Sequence, residues 1–222
     1  SDGSVKLILE DKNVECDNNA FTGNLDTTFY VLGADSNNKA DLLNYSGGVA
    51  DVLKAFQTNL STKIITKYPN KQLSDKLKID EWCFDNSVTE TNENGNYYGA
   101  YTRLVTNKMP SLKCEGRKLS KYGDETDMYV GTLTADEVSL AGAVIDMDNY
   151  NFYLNDYSTA GFWTLTPSSY SSYDSVYGFF GNSLYEAHVR SDNPVRPSVT
   201  LKEGITVSNS DDGSKGNPYV IE

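Results

Sequence analysis

From Asn151 onward the sequence breaks into a run of short apolar segments, NFYLN, GFWTLTP, SVYGFF, SLYEAHV and PSVTLK. They are rich in Phe, Tyr, Val and Thr and are separated by turn residues, so each predicts a β-strand. Gly181-Asn182, between two of them, predicts a tight hairpin turn. YVIE at the end predicts a last strand. Within GFWTLTP the alternation places Phe162, Thr164 and Thr166 on one face and Trp163 and Leu165 on the other. Trp163 is expected to pack inside.

Helical periodicity lies elsewhere. In SGGVADVLKAFQTNL, residues Val49, Val52, Leu53, Phe56 and Leu60 follow the spacing of one helix face. Ser46 is a candidate cap, and Pro69 marks the latest end of that helix or of one following it. Thr134 and Glu137 form a capping-box pattern that predicts a short helix over 135–143. SVKLIL and TTFYVLG predict early strands. The polar stretches DNSVTETNENGN (85–96) and RKLSKYGDETDM (117–128) read as loops, and Pro110 imposes an extended or turn conformation after GAYTRLVTNKM. Helices early and central, with antiparallel strands mostly late, predict an α+β domain with two or three helices, not an alternating βαβ fold.

Charge narrows the function. The 222 residues carry a formal net charge of −12. Such a surface repels phosphate backbones and anionic lipid, and no concentrated Lys/Arg patch offsets it, so nucleic acid is not an expected partner. Solubility alone accounts for much of the acid. No apolar run reaches the roughly 18 residues of a bilayer span, so no membrane insertion by this segment is expected. The chain opens at SDGSVKLILE without a signal peptide, and the expectation is that any export or anchoring signal lies outside this segment.

Several phrases taken together carry a resemblance: EWCFDN with YYGAYTRLVTNKMPSLKC, GTLTADEVSLAG, GFWTLTPS, NPVRPSVTL and GSKGNPYVI, in that order. From about Asp2 to Ile221 the chain resembles a family of secreted or membrane-anchored surface proteins of Gram-positive gut bacteria. The C-terminal half of that family is similar to the C-type lectin-like fold, shared with formylglycine-generating enzymes and the variable proteins of diversity-generating retroelements. The resemblance implies one C-type lectin-like domain over 1–222, with close termini, a late hairpin displayed to solvent, and the family's usual first strand falling before Ser1. It also implies an extracellular location on a bacterial surface. Pro194 departs from the family's common Gly. The catalytic cysteine pair of formylglycine-generating enzymes has no counterpart near the C-terminus, where the last cysteine is Cys114. The resemblance therefore carries fold and location, not that activity.

The family has cysteines equivalent to Cys83 and Cys114 flanking its loop region, which implies a disulfide; two buried free thiols are the alternative. Cys16 is either buried or a thiol able to join chains. With His188 the only histidine and three scattered cysteines, a zinc site is not expected. DMDNYNFYLND is similar to a calcium loop but has Asn151 where an EF-hand needs Gly and Tyr157 where it needs Glu. Asp146, Asp148 and Asn151 form a weaker calcium candidate, with solvated turn residues as the plainer reading. Otherwise no cofactor is expected.

Catalysis has little support. A Ser-His-Asp arrangement would have to pass through His188, and 31 acidic residues offer too many carboxylate pairs to choose a glycosidase site. Arg196 reads as a buried structural arginine paired with a carboxylate. The stretch SSYSSYDSVYGFF is of another kind. Tyr supplies stiff, amphipathic contact area at low entropic cost, and Ser and Gly supply adaptable hydrogen bonding. Tyr170, Tyr173, Asp174, Tyr177, Tyr185, Glu186, His188 and Arg190 form a candidate ligand-binding surface, although some of these rings must serve as core. The expected function is a non-catalytic recognition or adhesion module for protein or glycan. The alternatives are a structural subunit of a pilus or surface assembly, with neighbouring copies as partners, and an enzyme of the formylglycine-generating fold.

Overall fold

A computed structural model of the chain describes residues 4–8, 33–34, 40–41, 49–67, 69–93, 95–122, 126–152, 154, 162–170, 174–180, 183–188 and 195–206. In chain order the elements are β1 (Val5–Ile8), β2 (Gly33–Ala34), β3 (Ala40–Asp41), α1 (Val49–Lys67), α2 (Leu73–Lys76), β4 (Trp82–Phe84), β5 (Val88–Asn92), β6 (Gly95–Tyr98) and α3 (Gly99–Tyr101). A π-helical turn over Thr102–Thr106 continues α3. There follow β7 (Arg117–Leu119), β8 (Lys121–Tyr122), β9 (Thr126–Asp127), β10 (Val130–Gly131), α4 (Ala135–Leu140), β11 (Phe162–Tyr170), β12 (Asp174–Phe180), β13 (Ser183–His188) and β14 (Ser198–Leu201). The architecture is α+β, with four α-helices among the described residues rather than two or three.

Five strands form the largest sheet, in the order β13-β12-β11-β6-β5. A second sheet, β1-β14-β10, pairs the first described strand with the last. Three two-stranded ladders, β2-β3, β4-β7 and β8-β9, complete the set. All these pairings are antiparallel. The late runs become strands largely as the alternation predicts. The β12–β13 hairpin pairs from Phe180↔Ser183 to Ser175↔His188, in keeping with a Gly-Asn turn, although 181–182 lie outside the described residues. So does YVIE.

Four sequence expectations are corrected. The polar stretch 85–96 is not a loop throughout: it holds β5 and the start of β6, a hairpin in which Asn92 faces Gly95. Every residue of β5 is exposed, so no apolar alternation marks it. The stretch 117–128 likewise holds β7, β8 and β9, anchored by buried Leu119, Tyr122 and Met128. NFYLN does not form a strand at its described residues. Asn149 holds a turn there, donating Nδ2 to the Gly142 carbonyl at 2.7 Å and accepting the Asn151 N–H at 3.0 Å. The helix predicted over 135–143 ends at Leu140, because Gly142 takes φ +114 and turns the chain.

Two clusters of the core can be described among these residues. Ala100, Leu104, Leu133, Val138, Phe152, Phe162 and Leu184 pack together among α3, α4, β11 and β13. Leu73, Leu77 and Leu201 form a smaller cluster where α2 meets β14. β11 is buried on both faces: Phe162, Thr164 and Thr166 are as enclosed as Trp163 and Leu165. Ala135 N–H donates to Thr166 Oγ1, and Thr132 Oγ1 donates to the Arg196 carbonyl, so these two buried hydroxyls find partners.

α1 shows the predicted amphipathic face, with Leu53 and Phe56 buried. It is tied to the β10 approach through Gln57. Nε2 donates to the Asp127 carbonyl at 2.7 Å, and Oε1 accepts from Tyr129 N–H at 2.7 Å and Val130 N–H at 3.2 Å. The capping box of α4 forms as predicted: Thr134 Oγ1 accepts the Glu137 N–H at 3.1 Å, and Glu137 Oε2 accepts the Thr134 N–H at 2.8 Å. Arg196 is buried as expected, donating to the Leu154 carbonyl with its guanidinium over the Phe162 ring.

Candidate functional site

The five-stranded sheet brings distant residues into one row. Glu90 on β5 is the partner of Tyr97 on β6, Tyr97 of Ser169 on β11, Ser169 of Ser175 on β12, and Ser175 of His188 on β13. Cross-strand partners share a face, so this row occupies one side of the sheet from edge to edge. Two residues along, the pair Tyr177↔Glu186 lies on the same side.

Tyr101 extends this face. Its ring lies 4.1 Å from that of Tyr97, centroid to centroid, with the planes tilted by 42°. Burial chiefly, then Tyr97 and the carboxylates of Glu186 and Glu90, push the Tyr101 phenol above its ordinary value. Both carboxylates thus lie within electrostatic reach of the ring. Glu186 is exposed, and Tyr97 and Tyr101 are half-buried.

Local structure holds Tyr101 in place. α3 starts directly after β6, and the π-helical turn is closed by Asn107 N–H donating to the Thr102 carbonyl at 2.9 Å. Thr102 Oγ1 lies 2.7 Å from Thr89 Oγ1, which joins the helical turn to β5. Next to it, Arg103 turns inward. Its Nη1 donates to Asp85 at 2.7 Å, and its Nη2 and Nε donate to both oxygens of Asp136 at 2.8 and 2.9 Å. The hydrogen bonds to Asp136, opposed by burial and reinforced by Asp85, leave this guanidinium more firmly protonated than usual. Asp136 also accepts the Ser111 N–H at 2.8 Å, and Asp85 the Ser87 hydroxyl at 2.5 Å. π-Helical turns occur often at functional sites. Here α3 ends on Tyr101 against the Tyr97 ring, and the π-helical turn that follows directs Arg103 to Asp85 and Asp136.

Cys83 and Cys114 are bonded. The stretch they enclose holds β5, β6, α3 and the π-helical turn. Between the disulfide and α4 lies a cleft of about 480 Å³ lined by Lys6, Trp82, Arg103, Leu112 and Glu137, among others. Its charges are matched to one another: Lys6 pairs with Glu137 at 2.6 Å above the Trp82 ring, and Arg103 with its two aspartates. A second, more open groove of about 730 Å³ runs between α1 and the segment before α2, lined mainly by amides and hydroxyls such as Gln57, Thr58, Ser61 and Gln72.

The sequence-predicted surface divides by register. Tyr177, Glu186 and His188 belong to the face that carries Tyr97. Tyr170 and Asp174 pair with each other on the opposite face, in a row with Asn96, and Tyr185 lies on that same opposite face, across from Gly178. Tyr173, Arg190 and Cys16 lie outside the described residues. Glu90, Tyr97 and Tyr101 were not among the predicted contacts, because their segment read as loop and turn. The aromatic cluster in YYGAY was the available signal. Asp146, Asp148 and Asn151 are all exposed, with Asp146 at φ +51 and Asp148 accepting from the Tyr150 hydroxyl at 3.3 Å. Among the described residues no three His, Cys, Asp or Glu side chains converge as a metal site would need, and no helix is long and apolar enough to cross a membrane.

No family model, no curated protein and no solved structure matches the chain.

Proposed function

We propose that the chain is a non-catalytic, extracellular recognition module of C-type lectin-like type, working at a bacterial surface and binding its ligand on the sheet face built around Tyr97 and Tyr101. The observation that carries this reading is the edge-to-edge row from Glu90 through Tyr97 to His188, with Tyr101, Tyr177 and Glu186 on the same side. Stiff aromatics flanked by small hydroxyl residues make such a face suited to contact without chemistry. The disulfide suits an oxidising compartment.

The test is a screen of the purified chain against arrays of glycans and of host proteins, run beside the double variant Tyr97→Ala/Tyr101→Ala. The expected result is at least one ligand retained by the parent and lost by the variant, with both showing the same folded circular dichroism. Ligands bound equally by both proteins, or none bound by either, would overturn it.

A further inference from the structure

The five strands of the large sheet contain neither Lys nor Arg. They do contain Glu90, Asp174 and Glu186. This is notable even in a chain of net charge −12, because the same chain places 19 Lys and Arg elsewhere. Among the described residues, the cation nearest to Tyr101 in sequence, Arg103, is held by Asp85 and Asp136. Among the described residues of the sheet, the Tyr97 face therefore carries Glu90 and Glu186 and no Lys or Arg, with aromatic rings at its middle, while Asp174 lies on the other face.

Tyr97 and Tyr101 do not form a flat platform. Tilted by 42° at 4.1 Å, the two rings make a shallow wedge. A flat sugar ring stacks best on one open aromatic plane. A compact cation instead needs only one exposed ring face with carboxylates nearby. Glu90 is the cross-strand neighbour of Tyr97 on one side, and Glu186 lies on the same face at the opposite edge of the sheet, on β13. The rings are thus bracketed by one carboxylate on each side.

We infer that this face takes a basic polypeptide segment, with a lysine or arginine side chain seated against the Tyr97–Tyr101 pair between Glu90 and Glu186. This deepens the recognition reading and rests on it. Complementary charge would speed encounter and fix register, while the rings supply contact area. The partner is a protein with an exposed cationic stretch rather than a glycan.

The experiment measures binding of a fluorescent lysine-rich peptide by anisotropy, with an acidic peptide and a neutral trisaccharide as the other probes. Glu90→Gln/Glu186→Gln should weaken the lysine-rich peptide by about tenfold or more. Glu115→Gln/Glu203→Gln removes the same charge from exposed sites elsewhere and should leave affinity within about twofold. Tyr97→Ala should weaken binding even where rising salt has screened the carboxylates. Equal losses from the two glutamate pairs would reduce the effect to bulk charge and overturn the inference. Failure of the lysine-rich peptide to bind would also overturn it. Binding of the trisaccharide instead, abolished by Tyr97→Ala, would overturn the basic-peptide assignment while leaving the recognition face standing.

Discussion

The indole of Trp82 lies directly on the backbone of Gly131: a Cβ built at 131 would come within 2.3 Å of the ring. Trp82 is buried and its Nε1 donates to the Met128 carbonyl at 3.1 Å, so the ring has no free direction in which to yield. Gly131 is therefore required for space, at the point where β10 meets β14. Gly131→Ala should cost about 1–3 kcal/mol through overpacking. Urea unfolding gives the magnitude, and loss of the near-ultraviolet tryptophan signal would locate the damage at Trp82.

Arg103 is the only described cation that bridges Asp85 and Asp136, and both carboxylates are almost fully enclosed. Arg103→Leu would strand two buried charges, a change expected to cost about 3–5 kcal/mol. Arg103→Lys keeps the charge but not the planar fork that holds both partners at once. It should fall between Leu and the parent in urea midpoint. A Lys variant as stable as the parent would show that charge alone suffices.

Removing the bond between Cys83 and Cys114 should lower stability by about 3–4 kcal/mol in the chain-entropy model, with Ser at both positions. The same loss should follow from reductant added to the parent. A reduced parent that unfolds at the same urea concentration as the oxidised one would contradict it.

Tyr122 is buried, donates its hydroxyl to the Val130 carbonyl, and has its pKa pushed well above the ordinary value of 10.0 by burial. The fold therefore favours the neutral phenol. Its contribution is complete below about pH 10 and declines as the pH rises further, where the unfolded phenol ionises and the folded one resists. Tyr122→Phe should be less stable than the parent at neutral pH by about 1 kcal/mol, the worth of a typical hydrogen bond. The gap between the two proteins should narrow above pH 10. A gap that stays constant across that range would refute the linkage.

Much of the late sheet was legible because β11, β12 and β13 are apolar and lie close together in sequence. α1 was legible because Leu53 and Phe56 repeat at helical spacing and one face is buried. β5 was not, since all five of its residues face solvent and its pattern carries no burial signal. β6 was hidden for a different reason. Its second neighbour is β11, whose partner residue Ser169 lies far along the chain from Tyr97, and no local pattern announces that pairing. The candidate site follows the same division. Tyr177, Glu186 and His188 stood out in a Tyr/Ser-rich hairpin. Tyr97 and Tyr101 join them only once the sheet is assembled and α3 sets the second ring against the first. The split of Tyr170, Asp174 and Tyr185 to the other face is a matter of register, which two bulges in the β11–β12 pairing make unreadable from sequence.

Tyr97, Tyr101 and Arg103 all lie inside the stretch of chain closed by the cysteine pair. The exposed tip of that stretch, at Glu93, is where a protease would cut most readily. A nick there would leave two fragments tethered through sulfur, with β6 still laced to β11 and the tyrosine pair still opposite Glu186. The domain would then outlast its own backbone cleavage, and only a reducing gel would reveal the damage.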